Sequence, residues 1–219
     1  MNMLIPNMFH ISLNSEQFFR ATLTENIRNN EQCCLIFASD DFFRLLIHGK
    51  RVFVDATFKS VPKPFDQLFT MHVLIGDRLI PCLFAYMSSK HKEMYIKIFQ
   101  FLNIWADHYE LEIEWNKQIN SETILLCDYE SSIILAVKEV FSFIEIKGCF
   151  FHLTQAIFRK MRSYPELRLK YKDRNDNFKK FIRRIQYINF LQIDVIVDIF
   201  NELVIEREIE EDTMILFYN

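Results

Sequence analysis

The chain has 219 residues, half of them hydrophobic and a quarter charged, with 23 Phe but only 3 Gly and 5 Pro. This composition excludes a disordered chain and is enough for one full domain with an appendage. No apolar run reaches the roughly 18 residues of a membrane span, and no secretory signal opens the chain. The five Cys show no CxxC pair and are typical of reduced thiols. We therefore expect an intracellular protein, nuclear or cytoplasmic.

Residues 1–30 are polar and predict an irregular N-terminal arm, with one short helix around residues 15–23. A short strand at 33–37 and a helix beginning near Asp40 follow. The main series then runs strand, strand, strand, helix, strand, helix, strand, helix. Its segments are 52–59, 65–75, 79–87, 91–109, 124–127, 129–143, 144–151 and 152–163. This order predicts an α/β core at 31–164 with a mixed sheet. Further helices at 177–187 and 193–210 predict a helical extension at 165–219.

Two of the predicted strands end in an aspartate, Asp55 and Asp128. A carboxylate that follows a buried strand costs free energy unless something pairs with it. If the two strands are neighbours in the sheet, both carboxylates meet at one edge, where ligands of open α/β sheets gather. Hard divalent cations take such oxygen ligands, so the pair predicts a metal site. The alternative is an Asp at each strand end that only caps a turn.

The motifs around these aspartates resemble the MULE (Mutator-like element) transposase domain, a member of the RNase H-like DDE superfamily. The motifs are Val54-Asp55-Ala56-Thr57-Phe58-Lys59, Pro64-Phe65-x-Gln67-Leu68, Leu126-Cys127-Asp128-Tyr129-Glu130 and Gly148-Cys149-Phe150-Phe151-His152-Leu153-x-Gln155-Ala156. The resemblance covers about residues 33–203.

The resemblance implies an RNase H-like fold and metal-dependent DNA strand cleavage and transfer. Asp55 and Asp128 would hold two Mg²⁺ or Mn²⁺ ions, one activating water and the other stabilising the leaving 3′ oxygen. His152 would support this centre by orienting DNA or a metal-bound water. DNA is the implied partner, no membrane partner is expected, and a homo-oligomer stays open.

The chain departs from the family at the third carboxylate. The family has a Glu in an Asn-Asn-x-x-Glu context after a helical insertion, and no segment here matches it. We therefore expect a truncated domain with an incomplete nuclease centre, and the sequence leaves open whether it is an enzyme. The alternative is a catalytically inactive module that binds DNA or a protein partner.

Charge is unevenly distributed near the C-terminus. Residues 152–192 hold eleven Lys and Arg against three acids, whereas eight acids lie in 194–212. This asymmetry indicates a basic face for a polyanion, with a solvated helix surface as the alternative. The residues assigned to nucleic-acid binding are Lys59, Arg159, Lys160, Arg162, Lys179, Lys180, Arg183 and Arg184.

Two further positions have alternative interpretations. Cys149 and His152 form a C-x-x-H step that supplies two zinc ligand types, but no second pair lies at a suitable spacing. A packed Cys and a hydrogen-bonded His are the alternative there. Glu130 is expected to point away from Asp128 and to interact with the dipole of the following helix.

Overall fold

The computed structural model describes residues 5–58, 61–117, 122–173 and 177–205. The chain divides into two compact units, Met1–Lys147 and Gly148–Asn219. The boundaries expected from the sequence were at residues 30 and 164. These boundaries stay a prediction. In the structure, residues 19–27 join the sheet, and the helix at residues 150–163 shares an apolar cluster with the helices that follow.

The elements are numbered in chain order. The strands are β1 (Phe19–Ile27), β2 (Asn30–Phe37), β3 (Arg51–Thr57), β4 (Gln67–Ile75), β5 (Arg78–Met87), β6 (Ile124–Cys127) and β7 (Glu145–Gly148). The helices are α1 (Asp40–Ile47), α2 (Lys92–His108), α3 (Ser131–Val140), α4 (Phe150–Ser163), α5 (Pro165–Lys172), α6 (Phe178–Tyr187) and α7 (Ile193–Ile205). Short 3₁₀ helices lie at Asn7–Phe9, Glu114–Asn116 and Ile188–Phe190.

The strands form one mixed sheet in the order β1-β2-β5-β4-β3-β6-β7. Neighbours from β1 to β3 pair antiparallel, whereas β3 and β6 are parallel. The predicted order of elements from β3 to α4 is confirmed, as is the mixed sheet. The architecture is that of an RNase H-like α/β fold.

The main core lies on one face of the sheet, because alternate residues of each strand point to the same side. On β3 these are Val52 and Val54, and on β6 they are Leu125 and Cys127. The apolar sides of α1, α2 and α3 close over this face and belong to the same cluster. The other residues of β3 and β6, including Asp55, therefore point to the opposite face.

The expected helix around residues 15–23 and the irregular arm are wrong for residues 19–27. This segment is strand β1, paired along its length with β2 in a hairpin. The hairpin turn consists of Arg28 and Asn29, whose φ values of 52° and 64° match a two-residue type I′ turn. β1 is an edge strand with a partly exposed pattern, so its own hydrophobicity is a weak signal.

The second unit is helical. Its apolar cluster consists of Ile157, Met161, Leu167, Phe178, Phe181 and Ile182, from α4, α5 and α6. Helix α5 was not among the sequence predictions, and it begins with Pro165 in its first turn, a position that proline favours. None of the helices in the described ranges is both long and apolar enough to cross a membrane.

Candidate metal centre

Asp55 lies near the end of β3 on the face opposite the main core. Val52 and Val54 are buried, whereas Phe53 and Asp55 are half-buried, as expected for a strand with one covered face. In the antiparallel pairing with β4, Asp55 lies opposite Thr70, whose hydroxyl donates to the Asp55 carbonyl at 3.4 Å. The strand therefore presents the carboxylate at the surface of the sheet.

Asp128 comes directly after β6, the parallel neighbour of β3. The last pair in register is Phe53 with Leu126, and each aspartate lies two residues further along its own strand. Neighbouring strands are about 4.8 Å apart, so both aspartates lie at the same carboxyl-end edge of the sheet. That the two strands are neighbours was only a condition of the sequence prediction, and the structure meets that condition.

The backbone after β6 turns sharply around the Asp128 side chain. Asp128 Oδ1 accepts a hydrogen bond of 3.0 Å from the backbone N–H of Glu130, the residue that precedes α3. An Asp that holds the N–H two residues later is a common turn arrangement. One oxygen of the carboxylate is thus held in place.

The Glu130 side chain belongs to a hydrogen-bonded chain that the sequence did not reveal. The hydroxyl of Tyr95 on α2 donates to Glu130 Oε1 at 3.1 Å, and Gln67 Nε2 donates to the same hydroxyl at 2.8 Å. Gln67 and Tyr95 are fully buried. A Gln on the core-facing side of an apolar strand is the one sequence signal that points to this network.

Electrostatics around the two aspartates reflect burial. Burial raises the pKa of Glu130 above its ordinary value, and the charge of Asp128 adds to the rise. Burial lowers the pKa of His72 on β4, while the charge of Asp55 acts in the opposite direction. The pKa of Tyr95 is strongly raised, mainly by burial, so its hydroxyl stays protonated and remains a donor.

The candidate ligands of a cation are therefore the two aspartates. Their hard carboxylate oxygens suit Mg²⁺ or Mn²⁺, with waters and phosphate oxygens completing the shell. Within residues 5–58, 61–117, 122–173 and 177–205, no cluster of three or more His, Cys, Asp or Glu side chains could hold a metal ion. The pair fits a site that needs oxygen ligands from elsewhere, and does not by itself fit a closed two-metal centre.

The other predicted site residues belong to the second unit or lie outside the described residues. His152 is on α4 in the second unit, half-buried, with its ring centroid 5.6 Å from that of Phe151. Cys149 directly precedes α4 and is half-buried. Lys59 lies outside the described residues. The role given to His152 stays a prediction.

The predicted basic residues of the second unit lie on α4 and α6. Arg159, Arg162, Lys180, Arg183 and Arg184 are exposed. The remaining two, Lys160 and Lys179, are half-buried, and each ammonium lies over a tyrosine ring, at 5.2 Å and 5.7 Å from its centroid. Both helices therefore present cations to solvent while their apolar sides form the local core.

The sheet order, the parallel strands β3 and β6 and the two aspartates at their ends define an RNase H-like α/β protein. The family model of the MULE transposase domain matches residues 51–156, from the first residue of β3 into α4. The chain therefore carries a MULE transposase domain, as its motifs predicted. A comparison with curated proteins gives no match.

Proposed function

We propose that this transposase-derived domain binds a divalent cation through Asp55 and Asp128, and that its ancestral chemistry is metal-dependent cleavage and transfer of a DNA strand. The observation that carries this proposal is the position of the two aspartates, two residues beyond the same register pair on parallel neighbouring strands. That arrangement directs two carboxylates to one edge of the sheet, and carboxylate oxygens are the ligands that hard divalent cations take.

The chain's own residues supply binding and orientation. A bound Mg²⁺ or Mn²⁺ would polarise a phosphodiester oxygen and favour attack on phosphorus. Asp55 is held by the β3–β4 ladder, and Asp128 by its turn to the Glu130 N–H. Phe53 and Leu126, each half-buried, lie two residues before the two aspartates. Phosphoryl transfer depends mainly on such positioning and charge neutralisation.

Cation binding and strand cleavage are separate parts of this proposal. Cleavage by two metals needs a further carboxylate, and the described residues contain no group of three or more His, Cys, Asp or Glu that could hold a metal ion. We therefore expect measurable binding of one cation, and weak or no strand cleavage by this chain alone.

Cation binding is tested by titration calorimetry with Mn²⁺ on the wild type and on Asp55→Asn/Asp128→Asn. We expect binding in the wild type and loss in the double variant, because an amide is a much weaker ligand for a hard cation. Asp77→Asn is the matched control, since Asp77 lies in the β4–β5 turn at the opposite end of the sheet. Equal heats in the wild type and the double variant would refute the proposal.

The second candidate function is DNA binding without cleavage, and the charge of α6 favours it. Helix α6 carries Lys179, Lys180, Arg183 and Arg184 and no acid. The rings of Phe150, Tyr187 and Phe190 lie 4.8–6.1 Å from one another next to its C-terminal end. Cations that contact phosphates and rings that stack on bases are the usual elements of a nucleic-acid surface.

DNA binding is tested by fluorescence anisotropy with a labelled duplex over a range of salt concentrations. Arg183→Ala/Arg184→Ala should weaken binding and reduce the slope of log K against log salt by about 2, one for each phosphate that is no longer neutralised. The control is Arg78→Ala/Lys138→Ala, because Arg78 and Lys138 are exposed and lie in the first unit. An equal effect of both double variants would contradict a specific role of α6.

A further inference from the structure

A continuous hydrogen-bonded chain runs from the interior of the sheet to Asp128. Gln67 on β4 donates to the Tyr95 hydroxyl at 2.8 Å, and that hydroxyl donates to Glu130 Oε1 at 3.1 Å. The backbone N–H of Glu130 in turn donates to Asp128 Oδ1 at 3.0 Å. Three elements that are distant in sequence, β4, α2 and the start of α3, therefore converge on one carboxylate.

The network is costly for the core that contains it. Gln67 and Tyr95 are each fully buried, and burying amide and hydroxyl groups is unfavourable unless every polar atom is satisfied. Gln67 Oε1 has no hydrogen-bond partner among the described residues. Apolar side chains of similar size would fill the same space without this cost, so packing alone does not account for a Gln and a Tyr at these positions.

The geometry gives the network a specific effect. Glu130 directly precedes α3, and its side chain makes no capping bond to that helix. Its carboxylate is instead anchored by Tyr95, which in turn is oriented by Gln67. An anchored Glu130 has a fixed backbone, and that backbone supplies the N–H that holds Asp128 Oδ1. The orientation of the carboxylate is thus set from inside the core.

We propose that Tyr95 is a positioning residue for the metal ligand Asp128, acting through Glu130. This inference rests on the proposed cation site. Residues that hydrogen-bond to metal ligands or orient them typically change metal affinity by roughly 10–100-fold when they are removed. Tyr95 does not bond to Asp128 itself but to Glu130, which holds Asp128. We therefore expect the lower end of this range of affinity changes, about tenfold.

The test compares Tyr95→Phe with Tyr109→Phe. Tyr109 is a matched control, because its hydroxyl also donates to a carboxylate, Asp40 Oδ1 at 3.2 Å, and that carboxylate is at the start of α1. Each variant loses one oxygen and one hydrogen bond to an acid, and Tyr95→Phe also loses the hydrogen bond from Gln67 Nε2. Mn²⁺ affinity is measured by calorimetry, and thermal stability of the cation-free protein is measured in parallel.

We expect Tyr95→Phe to weaken Mn²⁺ binding about tenfold. Tyr109→Phe should leave Mn²⁺ binding unchanged, and the thermal stabilities show whether either variant disturbs the fold. Gln67→Leu removes the hydrogen bond that Gln67 donates to the Tyr95 hydroxyl and should also weaken Mn²⁺ binding. This variant keeps the test available if Tyr95→Phe does not fold. Unchanged affinity in Tyr95→Phe or in Gln67→Leu, beside a wild type that binds Mn²⁺, would overturn this inference alone. A wild type that binds no Mn²⁺ would overturn the proposed cation site and this inference with it.

Discussion

A methyl group at Gly49 would collide with the core beside β3. An ideal Cβ at this position lies 2.8 Å and 2.9 Å from the two γ carbons of Val73, and 3.2 Å from the Leu46 carbonyl oxygen. Real Cβ atoms essentially never approach closer than 3.0 Å. Val73 is 2% exposed and pairs with Val52 across β3 and β4, so its side chain cannot move into solvent. We predict that Gly49→Ala lowers the free energy of unfolding.

The size of the loss follows from two opposing contributions. Overpacking a core costs about 1–3 kcal/mol, and the smaller entropy of the unfolded chain offsets about 0.4–1 kcal/mol. The net loss for Gly49→Ala is therefore about 1–2 kcal/mol. Val73→Ala alone should cost about 2 kcal/mol, from two methyl groups and the cavity they leave. In the double variant the new methyl group enters that cavity, so the combined loss should fall about 1–2 kcal/mol below the sum.

The assay is urea unfolding followed by tryptophan fluorescence, because Trp105 and Trp115 are both buried in the first unit. The four proteins of the cycle provide the coupling energy directly. The control cycle uses Gly76, where no atom lies within 4 Å of an added Cβ and φ is +61°. Gly76→Ala should be destabilising through its backbone and additive with Val73→Ala. If Gly49→Ala and Val73→Ala are also additive, the steric argument is refuted.

Three further predictions concern a cap, a titration and a ligand. Ser39→Ala should lower the free energy of unfolding in urea by about 1 kcal/mol, because Ser39 Oγ accepts a hydrogen bond from the Phe42 N–H at the start of α1. Thr22→Ala, on the edge strand, is the comparison. Burial raises the Glu130 pKa in the folded state. Protonated Glu130 therefore stabilises the folded state below the ordinary value of 4.5, and this stabilisation is lost as pH rises through the higher folded pKa. Glu130→Gln should therefore reduce the fall in stability above pH 4.5, and an unchanged pH profile would contradict this. Mn²⁺ at a hundred times its dissociation constant should stabilise the wild type by about 2.7 kcal/mol, which is a rise in melting temperature of roughly 5–11 °C. Asp55→Asn/Asp128→Asn should show no such rise.

Local sequence patterns were sufficient to predict the elements that bury one clearly apolar face. β3 and β6 are short apolar runs that end in Asp55 and Asp128, and α2 repeats its apolar residues at helical spacing. Hydrophobic burial acts on such runs whatever lies opposite them, so their type and order were predictable. The parallel pairing of β3 with β6 was only a condition in the sequence analysis, and the structure supplied it.

The edge hairpin shows where local pattern was insufficient. β1 carries Arg20, Thr22, Thr24 and Asn26 between less polar residues, and it is a strand because it pairs along β2. Its backbone hydrogen bonds come from a tertiary partner, so its own composition did not distinguish it from a polar helix. Glu130 is a comparable case, because its assignment to the helix dipole was made without the contact to Tyr95.

The sequence by itself determined the class of fold, the order of the elements from β3 to α4 and the two aspartates, because each follows from periodic hydrophobicity and from motifs that are continuous in the chain. Only the tertiary structure brought Gln67, Tyr95 and Glu130 together, at separations of 28 and 35 residues. Periodicity states which face a side chain occupies, but not which residue of another element lies opposite it. Hydrogen bonds in a core depend on that second fact, so the network behind Asp128 became visible only in the folded chain.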